Sequence, residues 1–183
     1  SNRLLMIATD VSSKYTRRNE NEYRKVTDYI RAMAESRIGN YMVFFPSYQY
    51  MAEVEASLKE EPLMADLIVQ GTSMNETERK EFLNEFECER EHSLVAFCVM
   101  GGVFSEGIDL KEERLIGVII VGTGLPMVCV EQEILKGYFD ETIEHGFDFA
   151  YQYPGMNKVL QAAGRVIRTP EDKGVILLLD ERF

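Results

Sequence analysis

Between residues 157 and 169 the chain reads Asn-Lys-Val-Leu-Gln-Ala-Ala-Gly-Arg-Val-Ile-Arg-Thr. The spacing predicts a helix that stacks Gln161, Arg165 and Arg168 on one face, at steps of four and three. An amide and two guanidiniums aimed in one direction are unsuited to an apolar core, where a buried unpaired charge costs several kcal/mol. They need an anionic partner, and the γ-phosphate of a nucleotide fits. The plain alternative is a solvated helix face with a chance pair of arginines, so the rest of the chain has to decide. Gly164 would cost about 1 kcal/mol inside that helix relative to alanine, which predicts a second backbone passing close to it.

Further chemistry is concentrated where apolar runs end. After Tyr41-Met-Val-Phe-Phe45 come Pro46, Ser47 and Tyr48. Pro46 stops the run, Ser47 suits a helix N-cap, and the free amides behind it make an anion seat. A plain cap joining strand to helix is the alternative. If the loop meets nucleic acid, Ser47 holds a phosphate and Tyr48 stacks on a base or sugar. A second run ends in Met100-Gly-Gly-Val-Phe-Ser-Glu-Gly-Ile-Asp-Leu110. Its glycines let the backbone turn tightly against a ligand, and Glu106 and Asp109 offer carboxylates to hydroxyls or cations. A third ends in Gly122-Thr-Gly-Leu-Pro126, readable as a ligand loop or as a bare turn. The last ends Leu178-Leu179-Asp180-Glu181, an apolar strand followed by an acid, as in nucleotide hydrolases that hold magnesium. A self-sufficient hydrolase of that kind also needs a Gly-x-x-x-x-Gly-Lys-Ser/Thr loop, and the sequence contains no Gly-Lys pair. Asp180 is therefore expected to be a strand-end or salt-bridging residue, and no metal site is expected.

The elements that must position these loops are legible. Apolar runs at 4–8, 41–45, 67–69, 94–99, 115–121 and 175–179 are short and rich in Val, Ile and Phe. Several lack alternation, as expected of strands covered on both faces. Between most of them lie helical patterns. Tyr23, Val26, Ile30 and Met33 form one stripe, closed by Gly39 as a cap. Met51, Val54 and Leu58 form a second. Asn75 and Glu78 read as a capping box for a third, with Phe82, Leu83 and Phe86 facing in. A fourth runs from about Val130 to His145, and the fifth lies behind Pro154. Alternating strands and helices imply a mostly parallel sheet in an α/β/α sandwich. In such sheets ligands bind beyond the carboxyl ends of the strands, where these loops are.

Composition sets the outer bounds. A chain of 183 residues, 45% hydrophobic and 28% charged, suits one domain with one core, burying roughly 70% of its unfolded surface. It has no apolar run near membrane-spanning length and no pattern of a secretory signal, so no membrane partner and a cytoplasmic location are expected. Cys88, Cys98 and Cys129 are widely spaced, which predicts incidental thiols and neither zinc nor disulfides. The net charge of −11 argues against general polyanion binding, so nucleic-acid contact must be local.

With these loops in hand, the chain resembles the C-terminal RecA-like (P-loop NTPase-like) motor domain of superfamily 2 DNA helicases in the DinG-XPD branch, over nearly its whole length. Residues 41–48 resemble helicase motif IV, residues 101–109 motif V with its distinctive Ser-Glu-Gly-Ile-Asp, and residues 161–168 motif VI. The resemblance implies a three-layer sandwich around a mostly parallel sheet of about six strands. It implies that Arg165 and Arg168 are arginine fingers reaching across an interdomain cleft to ATP, and that Gln161 senses the γ-phosphate or its attacking water. Glu106, Gly107 and Asp109 would hold the nucleotide ribose or relay its state. Ser47, Tyr48, Gly102, Phe104 and Ser105 would line the path of single-stranded DNA, moved in the five-prime to three-prime direction.

By the same resemblance the partners are single-stranded DNA and the N-terminal motor domain of the same parent protein, with ATP and Mg²⁺ shared between the two motor domains. Any iron–sulfur cluster of the parent would lie outside this chain. The first motor domain, with its phosphate-cradling lysine and acidic box, is missing here. The single domain 1–183 is therefore expected not to hydrolyse ATP alone. The rival reading is a non-catalytic RecA-like module that binds nucleic acid or a protein. A module without ATP has little use for Gln161, Arg165 and Arg168 together.

Overall fold

A computed structural model describes residues 3–105, 115–166 and 173–183. Among these residues six strands, β1 (Arg3–Ala8), β2 (Asn40–Phe45), β3 (Ala65–Val69), β4 (Ser93–Val99), β5 (Gly117–Val121) and β6 (Gly174–Leu179), form one sheet. Its order is β1-β6-β5-β2-β4-β3 and every pairing is parallel. Among the described residues five α-helices accompany it: α1 (Glu20–Ser36), α2 (Tyr48–Glu60), α3 (Glu76–Asn84), α4 (Val130–Ile143) and α5 (Tyr153–Ala163). This is the RecA-like α/β/α sandwich.

The strands at the centre carry apolar residues on both sides because both sides are covered. In β2, Tyr41, Val43 and Phe45 join one apolar cluster while Met42 and Phe44 join the other. The first cluster seals α1 and α2 through Val26, Ile30, Met51, Val54 and Leu58. The second seals α3 and α5 through Phe82, Val159 and Ala162. The one core expected from chain length is thus two apolar layers, separated by the sheet.

Local signals largely formed as read. Ser47 caps α2, its Oγ accepting the Tyr50 amide at 3.1 Å, and Asn75 with Glu78 closes both halves of a capping box on α3. One expectation was displaced by a tertiary contact. The cap of α1 is Arg37 and not Gly39; a Cβ at Gly39 would lie 2.2 Å from Ile116 Cδ1, so the glycine makes room for a neighbour. The first apolar run is not covered on both faces: Leu4, Leu5 and Ile7 are about half exposed, because β1 is an edge strand. No residue of α4 is buried, so that helix lies outside both layers.

Candidate functional site

The carboxyl ends of the parallel strands share one edge, and the loops singled out by their composition meet there. Tyr48, in the first turn of α2, is tied to the glycine loop after β4 by a residue that the sequence did not flag. Gln70, 3% exposed at the end of β3, donates from Nε2 to the Tyr48 hydroxyl at 2.9 Å and accepts the Val99 amide on Oε1 at 3.0 Å. Tyr48 passes the contact on, donating to the Gly71 carbonyl at 3.3 Å. The only signal for Gln70 was a long polar side chain ending an apolar strand before a glycine.

The loop after β4 then folds back on itself. Gly101 takes φ +71°, which disfavours any side chain. Its Cα faces the stem of Lys158 on α5, 3.5 Å from where a Cβ would stand. Ser105 closes the loop, its amide and hydroxyl both donating to the Gly102 carbonyl, at 2.9 and 2.8 Å. Phe104 is 1% exposed and stacks on Phe82 at 4.3 Å between ring centroids. Its ring, grouped with the DNA-facing residues in the sequence reading, is instead a core anchor. Ser105 is likewise fully buried. Both therefore offer a ligand only backbone groups, and Gly102 stands beside the Gln70 amide.

Gln161 lies exposed near the end of α5, while Val159 and Ala162 on the opposite flank enter the core. The helix ends at Ala163, before Arg165. Arg165 and Val166 continue the winding as a tighter turn, with amides bonded to Ala162 and Ala163 three residues back, at 3.2 and 3.3 Å. Gly164 is the cap of α5, and among the described residues a Cβ there would meet only carbonyls of its own last turn. The second backbone expected beside it is absent among those residues. Arg165 is half-buried, and its Nη2 donates to the Ser105 carbonyl. One guanidinium thus joins the end of α5 to the loop after β4. Glu106, Gly107, Asp109 and Arg168 lie outside the described residues.

The loop after β5 has a structural reason for its glycines. Gly124 at φ +68° faces Gly155 in the first turn of α5, and a Cβ on Gly155 would stand 2.7 Å from the Thr123 carbonyl oxygen and 3.1 Å from the Leu125 amide nitrogen. Backbone meets backbone, so neither side can yield by rotating a side chain. Gly155→Ala is expected to destabilise the domain by about 1 to 3 kcal/mol, lowering Tm by roughly 2 to 4 °C per kcal/mol in a thermal melt. An unchanged Tm would show that loop and helix are free to separate.

Asp180 is fully buried and saturated. Its carboxylate accepts from Ser13 Oγ at 2.6 Å, Ser13 N at 3.1 Å, and Arg182 Nε and Nη2 at 2.6 and 2.9 Å. Burial by itself would raise its pKa, but the bonds from Arg182 and Ser13 outweigh that and hold it below the ordinary value. Asp180 is a salt-bridging strand-end residue, and among the described residues no three His, Cys, Asp or Glu side chains cluster as metal ligands. Glu22, unflagged by sequence, is a second buried carboxylate, taking the Ser12 amide at 2.8 Å and Lys25 Nζ at 3.0 Å. Cys98 is buried, and burial pushes its thiol pKa up, so it behaves as an apolar residue; Cys88 and Cys129 are exposed. No described helix is long and apolar enough to cross a membrane.

Comparison with known proteins gives the same picture. Residues 30–183 match the helicase C-terminal domain family. The chain is 28% identical over 182 residues to the ATP-dependent DNA helicase XPD of Sulfolobus acidocaldarius, covering 97% of this chain and 31% of that protein. It is 27% identical over 195 residues to the ATP-dependent DNA helicase CHL1 of Debaryomyces hansenii, covering 95% of this chain and 24% of the relative. A solved XPD helicase superposes with a TM-score of 0.80 at 26% identity, over 99% of this chain and 32% of that one. This chain thus spans about a quarter to a third of the relatives it matches. The parallel six-stranded sheet, the glycine loop tied to the end of α5 and these matches lead to one family: the chain belongs to the helicase C-terminal domains of the DinG-XPD branch.

Proposed function

We propose that this domain is the second motor of an ATP-dependent DNA helicase, and that it supplies Gln161, Arg165 and Arg168 to an ATP and its Mg²⁺ gripped mainly by a first motor domain. The observation that carries the reading is the bond from Arg165 to the Ser105 carbonyl. It makes the phosphate-reading end of α5 and the loop after β4 move together. That loop is in turn held to Tyr48 through Gln70, so a displacement at the nucleotide reaches the DNA-facing edge through four residues. Single-stranded DNA runs along this edge, past Tyr48, the first turn of α2 behind Ser47, and the backbone from Gly102 to Ser105. ATP binding draws the two motors together and hydrolysis releases them, moving the strand. Glu106, Gly107 and Asp109 contact the ribose or relay the nucleotide state.

The donor set fits such a ligand. Gln161 is an exposed amide and Arg165 a planar fork suited to phosphate oxygens. Asp180 is already saturated, so the Mg²⁺ ligands come from the other motor domain. The isolated 183-residue domain is expected to show no ATP turnover above buffer, measured as phosphate release with and without single-stranded DNA. Activity should appear when the first motor domain is joined to it. Turnover by the isolated domain that Arg165→Ala abolishes would overturn this reading. In the joined enzyme, Arg168→Ala is expected to slow hydrolysis with little loss of DNA affinity; equal loss of both would make Arg168 a DNA contact.

A further inference from the structure

Between β1 and α1 the chain carries a locally basic run, Lys14-Tyr-Thr-Arg-Arg18, wound at Tyr15–Arg17 into a single 3-10 turn. Lys14 and Arg17 already face carboxylates, Lys14 Nζ at 2.8 Å from Glu181 and Arg17 Nη2 at 3.7 Å from Glu22. Arg18 makes no ion pair among the described residues. Its Nε donates to the Ser13 carbonyl at 3.2 Å, and its guanidinium lies over two rings, 5.4 Å from the centroid of Tyr15 and 5.1 Å from that of Tyr50. Together with Tyr23 and Gln49, these three residues line a cavity of about 300 Å³.

Three features of that cavity point to an anion. Gln49 and Tyr50 belong to the first turn of α2; Ser47 Oγ takes the Tyr50 amide, but the Tyr48 and Gln49 amides have no partner within the helix, and the helix dipole favours negative charge. Arg18 supplies a cation. Tyr50 is fully buried, yet its hydroxyl has no hydrogen-bond partner among the described residues, a vacancy that an acceptor would fill. Burial raises the Tyr50 pKa far above the ordinary phenol value, so the group stays a donor. The carboxylates near Tyr50, Glu22 and Asp180, are each matched by a cation, Lys25 and Arg182, and Glu53 lies near Tyr23. Tyr15, in contrast, is 79% exposed, an aromatic face turned outward beside the cavity.

We propose that this cavity seats a backbone phosphate of single-stranded DNA, with Tyr15 as the stacking platform for the adjoining base. Guanidinium, helix amides and a phenol are the donors a phosphodiester takes, and an exposed ring beside a phosphate seat is the arrangement by which proteins hold single strands. The assignment rests on reading the domain as a binder of single-stranded DNA. It extends the path from Tyr48 by one further site, through the residues that follow it in α2.

The test is a titration of the 183-residue domain with a short oligo-thymidylate, followed residue by residue in amide NMR spectra. Resonances of Tyr15, Arg18, Gln49 and Tyr50 are expected to shift together with those of Tyr48, Gln70 and Gly102. Tyr15→Ala, at an exposed position that the core does not depend on, and Arg18→Gln are each expected to weaken binding by about fivefold or more. A methylphosphonate oligomer, lacking the charge, should be insensitive to Arg18→Gln. Shifts at Tyr48, Gln70 and Gly102 without shifts at Tyr15, Arg18 and Tyr50 would overturn the extra site and leave the DNA reading standing. Unchanged affinity in both variants would do the same, and no shift anywhere would overturn both.

Discussion

Arg165→Ala, placed in the enzyme with both motor domains, is expected to lower ATP turnover by about 10³ to 10⁵-fold, or roughly 4 to 7 kcal/mol of barrier, while affinity for single-stranded DNA stays close to that of the parent. A guanidinium aimed at a transferring phosphoryl group stabilises charge that exists only in the transition state, so its removal lowers kcat more than it weakens binding. Arg165 also holds the Ser105 carbonyl, and this gives a second readout. Turnover that remains should respond less to added DNA, because α5 and the loop after β4 are no longer joined. Arg165→Lys restores charge but not the planar fork, and is expected to recover only a small part of the rate. Steady-state phosphate release with and without oligo-thymidylate, together with fluorescence anisotropy for DNA affinity, measures all three effects. A parallel loss of DNA affinity and turnover would place Arg165 on the DNA and not on the nucleotide.

Asp180→Ala is expected to cost about 3 to 5 kcal/mol of folding stability, because deleting one partner of a buried ion pair leaves the other charge and its donors unsatisfied. Ser13 would lose the acceptor of both its amide and its hydroxyl, and Arg182 three bonds, from its amide, Nε and Nη2. These contacts join the loop after β1 to the end of β6, so the loss should extend to the Lys14–Arg18 segment. The pH dependence has a definite sign. Asp180 has a lowered pKa in the folded state, so its contribution is fully present above the ordinary aspartate range and is lost as pH falls through the lower folded value. Urea unfolding measured from neutral pH down into the acid range should show the parent losing stability on that limb, with a smaller slope in Asp180→Ala. Equal slopes would mean that the carboxylate is not held in its charged form by Arg182 and Ser13.

Much of this was legible in the chain because it is decided locally. Short apolar runs rich in Val, Ile and Phe located all six strands, since strands covered on both faces need apolar residues on both sides. The caps at Ser47 and Asn75 need only side chains within three residues of the amides they serve. The glycine loops marked tight turns beyond the strand ends because few other residues permit a positive φ. Phe104 was misplaced for the converse reason. An aromatic in a glycine loop reads as exposed, and only the packing of Phe82 from α3 shows that its ring turns inward.

The sequence by itself determined the order of strands and helices, the helix caps at Ser47 and Asn75, the glycine loops and the family, all of which follow from residue types at short spacing. The tertiary structure alone decided which loops act together. Gln70 bridges Tyr48 and Val99, Arg165 grips a carbonyl sixty positions earlier, and Asp180 answers Ser13 across nearly the whole chain. No spacing rule encodes these pairings, because partners so far apart in sequence are brought together only when the sheet assembles and its strand ends converge on one edge.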